Sequence, residues 1–311
     1  MTDSDTNTPE LAPPDTRAGF VALIGAPNAG KSTLVNALTG TKVSIVTHKV
    51  QTTRALIRGI FVHGNAQVIL VDTPGIFAPK RHLERAMVKT AWRGATDADR
   101  VAVIIDAKAG LTEEVRELLK RAAQIRQPCD LVLNKIDLVP REKLLELAQE
   151  ANSLVNFENT YMVSATTGSG LEDFKKRLGG EMMPSPWFYS EDQVSDLPLR
   201  ALAAEITREK LMLRLHQELP YRSTVETTQW KSLKDGSVRI EQTIYVERES
   251  QRKIVLGEKG QTIKAIGASA RGEIAEAADT PVHLFLFVKV RENWSQDPGR
   301  YREIGLDFSD G

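Results

Sequence analysis

Three short strings in fixed order constrain this chain more than any other feature: GAPNAGKS at 25–32, DTPG at 72–75 and NKID at 134–137. The first fits the phosphate-loop pattern GxxxxGK[ST], with Gly25, Gly30, Lys31 and Ser32 on the diagnostic positions. The apolar run 20–24 before it predicts a buried parallel strand, and Leu34, Val35 and Leu38 after it predict the start of a helix. Glycines let backbone N–H groups close around phosphate oxygens, and the helix N-terminus adds its positive end. Lys31 is then expected to reach the β- and γ-phosphates, with the Ser32 hydroxyl on Mg2+. Alone, this string admits ATP as well as GTP.

The second string follows another strand-like run, 67–71, and falls at the magnesium-carboxylate position. Asp72 is expected to hold the metal through water, while the Gly75 amide senses a γ-phosphate. Asp-Thr-Pro-Gly is also an ordinary turn sequence, and the upstream phosphate loop is what gives it meaning. The third string selects the base. The Asp137 carboxylate can accept two N–H bonds from guanine, and adenine has no matching donors. A buried acceptor left unpaired costs about 1 to 3 kcal/mol, so the wrong base is rejected strongly. Asn134 is expected to contact base and loop, and the Lys135 stem to cover the ring face. After the strand-like 161–163, Ser164 and Ala165 look like the short string whose backbone amide reads the guanine oxygen. The nucleotide site thus comprises Gly25, Ala26, Pro27, Asn28, Ala29, Gly30, Lys31, Ser32 and Thr33, then Asp72, Thr73, Pro74, Gly75 and Ile76, then Asn134, Lys135, Asp137, Ser164 and Ala165.

Composition narrows the partners. The chain has 311 residues, enough for two cores, and its formal net charge is zero, so any RNA contact must be local. A single cysteine, Cys129, excludes an internal disulfide framework, fits a reducing cytoplasm and reads as a buried structural thiol. No apolar run reaches the roughly 18 residues of a membrane span. The polar opening stretch, with three prolines, reads as an extension without order rather than a signal peptide.

From 18 to 181 apolar runs alternate with helical stretches, which predicts an α/β fold: a P-loop GTPase domain with a mostly parallel sheet and helices on both faces. Strands are expected at 20–24, 57–62, 67–71, 101–105, 130–133 and 161–163, with the diagnostic strings at their C-terminal ends, where open α/β sheets bind ligands. Residues 182–199 contain three prolines and the run Trp187, Phe188, Tyr189, and read as a linker whose aromatics pack between the domains rather than touch a ligand.

Residues 200–311 predict a smaller α+β domain. A helix over 200–218 is followed by strands over 224–233 and 238–248, joined by Lys234-Asp235-Gly236-Ser237, in which Asp-Gly is a hairpin signal. A short helix, a GEKG loop at 257–260, a longer helix and the strand 282–290 complete an αββααβ order. This looks like a KH domain of the second topological type, whose two loop glycines let the backbone approach single-stranded RNA. Between 252 and 271, Arg252, Lys253, Lys259, Lys264 and Arg271 stand against one acid, Glu258, whereas the whole of 200–311 has eighteen basic and seventeen acidic residues. The basic excess is confined to the proposed RNA edge. The candidate RNA contacts are Arg252, Lys253, Gly257, Glu258, Lys259, Gly260, Ile263 and Lys264; Glu258 disfavours phosphate at its own place, so Lys259 must point at the backbone.

From 18 to about 306 the chain resembles the Era family of GTPases, on QTTR at 51–54, EDQVSD at 191–196, AAEITREKL at 203–211, LGEKGQTIKAIG at 256–267 and VKVRENW at 288–294. The resemblance implies a monomeric cytoplasmic GTPase that binds 16S rRNA near its 3′ end and assists 16S maturation and assembly of the 30S ribosomal subunit, with some peripheral association with the inner membrane. A GTPase docking a protein or membrane through its second domain is the alternative; the basic 252–271 stretch favours RNA, and NKID disfavours an ATPase.

Hydrolysis of GTP to GDP and phosphate depends on positioning and charge stabilisation. Ile76 stands where Ras-like enzymes carry a water-orienting glutamine, so intrinsic turnover is expected to be slow. Asn28 either shapes the loop or, as in related GTPases, holds a K+ ion near the place of an arginine finger, a group that supplies about 10^3 to 10^5 in rate. In the segment 42–54, Thr52 or Thr53 should ligate Mg2+ only with GTP bound, and Thr53 is preferred because it directly precedes Arg54.

Overall fold

The computed structural model describes residues 15–216, 219–292, 294 and 306. Residues 1–14 of the expected extension and most of the C-terminal tail lie outside the described residues.

The first sheet has six strands: β1 (Arg17–Gly25), β2 (Ile57–His63), β3 (Ala66–Asp72), β4 (Arg100–Asp106), β5 (Cys129–Asn134) and β6 (Thr160–Met162), in the order β2-β3-β1-β4-β5-β6. Only β2 runs antiparallel to its neighbour; the other pairings are parallel. The near-continuous apolar runs of β1, β3, β4 and β5 follow from burial on both faces. One layer of core packs α2 (His82–Asp97), α3 (Glu113–Ala122) and α4 (Arg141–Leu154) against the sheet; the other packs α1 (Lys31–Thr39) and α5 (Leu171–Glu181). β1 starts at Arg17, inside the stretch expected to lack order, because backbone pairing with Ala66 is indifferent to its polar side chain.

After α5 the chain carries no helix until α6 (Leu199–Arg214). It runs along the free edge of β2, where the Ile60 amide donates to the Val194 carbonyl at 2.8 Å and Arg58 pairs with Asp196 at 2.6 Å. The aromatic run, expected between the domains, packs on the first sheet: Phe188 lies 5.2 Å from Phe20 of β1, and Gln67 Oε1 of β3 accepts from the Phe188 and Tyr189 amides.

The second sheet, β7 (Ser223–Ser232), β8 (Val238–Val246) and β9 (Val282–Val290), pairs β7–β8 antiparallel and β8–β9 parallel. Helices α6, α7 (Glu249–Leu256) and α8 (Gln261–Ala277) cover one face, burying Ile206, Leu211, Ile240, Ile244, Ile266 and Ile274. The Asp-Gly hairpin forms, with Gly236 at φ 83° and Asp235 Oδ1 accepting from the Ser237 amide at 3.0 Å. Among the described residues no helix is long and apolar enough to cross a membrane.

Candidate functional site

β3 and β1 are neighbours and β5 lies beyond β4 in the same parallel stretch of sheet, so the three diagnostic strings leave C-terminal ends on one side of the sheet. The phosphate loop enters α1 through Gly30, whose φ is 94°. A Cβ there would lie 2.3 Å from Asn134 Nδ2, so the approach of the NKID string requires glycine. Asn134 is buried; its Nδ2 donates to the Ala29 carbonyl at 3.0 Å, and its Oδ1 accepts from the Lys135 and Ala165 amides at 2.8 and 3.1 Å. One amide therefore ties the phosphate loop, the NKID string and the 164–165 string together. The Ala165 amide, one of the two in the string expected to read the guanine oxygen, is here engaged by Asn134. Lys135 takes a left-handed φ of 64° and bonds the Asn28 carbonyl at 2.8 Å and Asp106 at 2.6 Å. Asp137 lies exposed on the turn that follows.

The metal corner is tighter. Ser32 Oγ donates to Asp72 Oδ2 at 2.7 Å and lies 2.9 Å from Thr53 Oγ1, which is 3.4 Å from the same carboxylate oxygen. The neighbouring Thr52 hydroxyl is turned elsewhere, bonded to Thr47 Oγ1 and the Lys49 carbonyl, each at 2.6 Å. Asp72 is fully buried, and its Oδ1 has no hydrogen-bond partner. Burial pushes its pKa up, against the bonds from Ser32 and Ser44 that pull it down. A buried, undonated carboxylate oxygen beside two hydroxyls is the donor set of a hard divalent cation, and Mg2+ fits it. Ser44, which no sequence signal marks, adds a third hydroxyl, 2.7 Å from Asp72 Oδ2.

Lys31 is buried beneath the loop, donating to the Gly25 and Ala26 carbonyls at 3.0 and 3.1 Å. Burial lowers its pKa to about 8, with Asp72 acting in the opposite sense. In the second string, Thr73 Oγ1 donates to the Leu23 carbonyl and the Ile76 amide to Gly25. A Cβ on Gly75 would sit 3.0 Å from the Pro27 backbone, so this string packs directly on the phosphate loop. The Ile76 side chain is buried in the core against α2 and offers nothing to a water. Asn28, at φ 62°, donates from Nδ2 to the His48 carbonyl at 3.0 Å. Between the phosphate loop and residues 45–53 lies a cavity of about 320 Å³, which Thr166 also lines, although no sequence signal marked it.

In the GEKG loop, Gly257, Lys259 and Gly260 all have positive φ, 72°, 47° and 77°. A Cβ on Gly257 would strike Thr262 Oγ1 at 2.2 Å, whereas one on Gly260 meets nothing within 4 Å. Lys253, Lys259 and Lys264 are exposed, Ile263 is half-buried, and Arg252 pairs with Glu249 at 2.8 Å. Ile254, exposed beside the loop, went unmarked in the sequence because its helical period places it off the core face.

The family model described as 50S ribosome-binding GTPase matches residues 20–135, and that of the KH domain matches residues 218–295. Similar curated relatives include a GTPase Era of Brucella suis biovar 1 (strain 1330), 68% identical over 293 residues and 94% of each chain. Another is a GTPase Era of Rhizobium meliloti (strain 1021), 62% identical, covering 99% of this chain and 98% of the relative. A crystal structure of Era in complex with MgGDPNP and nucleotides 1506–1542 of 16S ribosomal RNA is 36% identical, with a TM-score of 0.88 over 93% of this chain and 99% of the other. A point variant of Aquifex aeolicus Era bound to GDP and AlF4- has the same identity, coverage and TM-score.

Proposed function

The chain belongs to the Era family of GTPases, and from that premise we propose that its nucleotide state controls how the second domain holds 16S rRNA near its 3′ end while the 30S subunit matures. It binds GTP with Mg2+ and hydrolyses it to GDP and phosphate. Residues 18–181 act as the switch, 182–199 as the linker and 200–311 as the RNA-holding part. The work is cytoplasmic, and any contact with the inner membrane is peripheral.

The observation that carries this is the corner of Ser32, Thr53 and Asp72, because it joins the nucleotide cradle to a segment that also touches the second domain. Ser32, Thr53 and Asp72 would hold Mg2+, which neutralises charge developing on the phosphates. Lys31 exchanges its loop carbonyls for β- and γ-phosphate oxygens, the Gly75 amide faces the γ-phosphate, and Asp137 takes the guanine donors. With Ile76 buried, no glutamine at that place orients the attacking water, so turnover is slow. When the γ-phosphate leaves, Thr53 loses its reason to stay and the 42–54 segment is released.

GTP turnover and binding to a fluorescent 3′ fragment of 16S rRNA, measured on the unaltered chain and on Lys259→Glu, test this. The variant should keep its RNA-free turnover and bind the fragment more weakly. Undiminished RNA binding would sink the RNA reading of this edge and leave protein docking in its place.

A further inference from the structure

The 42–54 segment lies along α6 of the second domain. Lys42 pairs with Glu209 at 2.7 Å, the Val46 amide donates to the same carboxylate at 2.8 Å, and Lys49 caps the Met212 and Leu215 carbonyls at the end of α6. Two arginines cross the boundary in opposite directions. Arg208, the largest fully buried side chain among the described residues, leaves α6 and donates to the carbonyls of Gln51, at 3.5 Å, and Thr52. Its guanidinium is aimed by Glu205 one turn earlier, through Nε to Oε1 at 2.8 Å and a second bond to Oε2. Arg54 runs the other way, donating to the Ser223 carbonyl at 2.9 Å and to those of Pro220 and Tyr221 at 3.3 Å.

Thr53 lies between these two anchors. The backbone on one side is held by a side chain of the second domain, and the side chain on the other is buried in that domain. The preceding Gln51 has a φ of 61°, which a non-glycine residue keeps only when its surroundings hold it there. Its Nε2 donates to Glu84 Oε1 at 2.8 Å at the start of α2. Ordering a loop of this length costs conformational entropy at every residue, and a single hydroxyl on a metal offsets little of it.

We propose that Arg208 is a positioning residue for GTP hydrolysis, supplied by the second domain of the same chain: by fixing the Gln51 and Thr52 carbonyls it keeps Thr53 Oγ1 at the Ser32–Asp72 corner. The GTPase site is then incomplete without the second domain, with or without RNA. This rests on Thr53 being a metal ligand.

The test uses the full chain with Arg208→Ala, Arg208→Lys, Glu205→Gln, Thr53→Ala and the Thr53→Ala/Arg208→Ala double variant. Two readouts are followed across a Mg2+ titration: GTP turnover, and the dissociation rate of a fluorescent non-hydrolysable GTP analogue. Arg208→Ala should raise the Mg2+ needed for slow dissociation and for turnover by about tenfold, the scale of a charge-assisted hydrogen bond. GDP affinity should be unchanged, which a general loss of folding would not allow. Lys cannot reach both carbonyls and Glu205 together, so Arg208→Lys should restore only part, and Glu205→Gln should shift Mg2+ dependence in the same direction by less. In the double variant the effect of Arg208→Ala should vanish, since its route through Thr53 is gone. If Thr53→Ala raises the Mg2+ requirement but Arg208→Ala does not, or if the two effects multiply, the proposal is overturned while the metal reading stands. If Thr53→Ala itself leaves Mg2+ dependence unchanged, the metal reading falls and this inference falls with it.

Discussion

The nucleotide cradle and the GEKG loop are both built on glycine, yet Gly260 of the loop, unlike Gly257 and the cradle's Gly30 and Gly75, has no protein atom to avoid. In the cradle, a Cβ at Gly30 would meet Asn134 and one at Gly75 would meet Pro27, both parts of the protein's own packing. Those contacts join distant stretches: the Asn134 to Ala29 bond spans 105 residues. In the GEKG loop the bonds are local, from the Gly257 amide to the Lys253 carbonyl and from Gly260 to Gly257. Gly260 faces open space. The cradle is therefore shaped before its ligand arrives, and its residues hold one another in place. The loop presents backbone and lysines to a surface that something else must complete.

The most severe way to break that contrast is Gly30→Ala. The methyl group must displace Nδ2 of the Asn134 side-chain amide, the group that ties three strings together, and alanine must also adopt a left-handed φ of 94°. Together these should weaken GTP binding by roughly 10^2- to 10^3-fold in a fluorescent-nucleotide titration. Binding within a few-fold of the unaltered chain would mean that the cradle gives way more easily than its packing implies. Next comes Asp137→Asn, which touches the base and leaves the cradle's internal bonds alone. GTP affinity should fall by on the order of 100-fold and xanthosine triphosphate should gain, because one acceptor becomes a donor. Unchanged preference in a competition assay would contradict the base assignment.

The cation dependence sharpens the same side of the comparison. Asn28 Nδ2 is occupied by the His48 carbonyl, so the loop-shaping role is already met and only its Oδ1 is left for an ion. Exchanging K+ for Na+ should lower turnover about tenfold, a modest share of what an arginine finger supplies. Equal rates in the two salts would leave Asn28 with loop shaping alone.

The cradle was legible in the sequence because each of its tasks demands a particular residue type at a fixed spacing, and because each string closes an apolar run. The adjacent threonines 52 and 53 were not separable that way; their hydroxyls part only when the backbone turns Thr52 toward Thr47 and Thr53 toward Ser32. Ser44 on Asp72 and Arg208 on the Gln51 and Thr52 carbonyls left no trace either. A serine has no distinctive pattern, and a backbone carbonyl accepts a bond whatever side chain it carries. The strand ends behaved alike. Arg17, Asp72 and Asn134 extend their strands through backbone pairing that polarity does not reveal.

On the loop side the effects should be smaller. Lys259→Glu reverses one exposed charge, and should weaken RNA binding by about tenfold while lowering the slope of log affinity against log salt by about one.

Gly260→Ala is the finest probe, and a better one than any change at Gly257, where a new Cβ would strike Thr262 and disturb the loop itself. At Gly260 no protein atom lies within 4 Å of the added methyl, so the folded chain suffers only the left-handed strain, roughly 1 kcal/mol. Nucleotide binding and RNA-free turnover should not change. If an RNA backbone comes close to this glycine, the methyl occupies the space it uses, and affinity for the 3′ fragment should fall a few-fold with little change in thermal stability. If affinity holds, Gly260 serves the turn into α8 and the RNA passes over Lys259 and Lys264 instead. Gly260 would then, like Gly257 and the glycines of the cradle, answer to the protein's own structure, here the left-handed turn, rather than to its ligand.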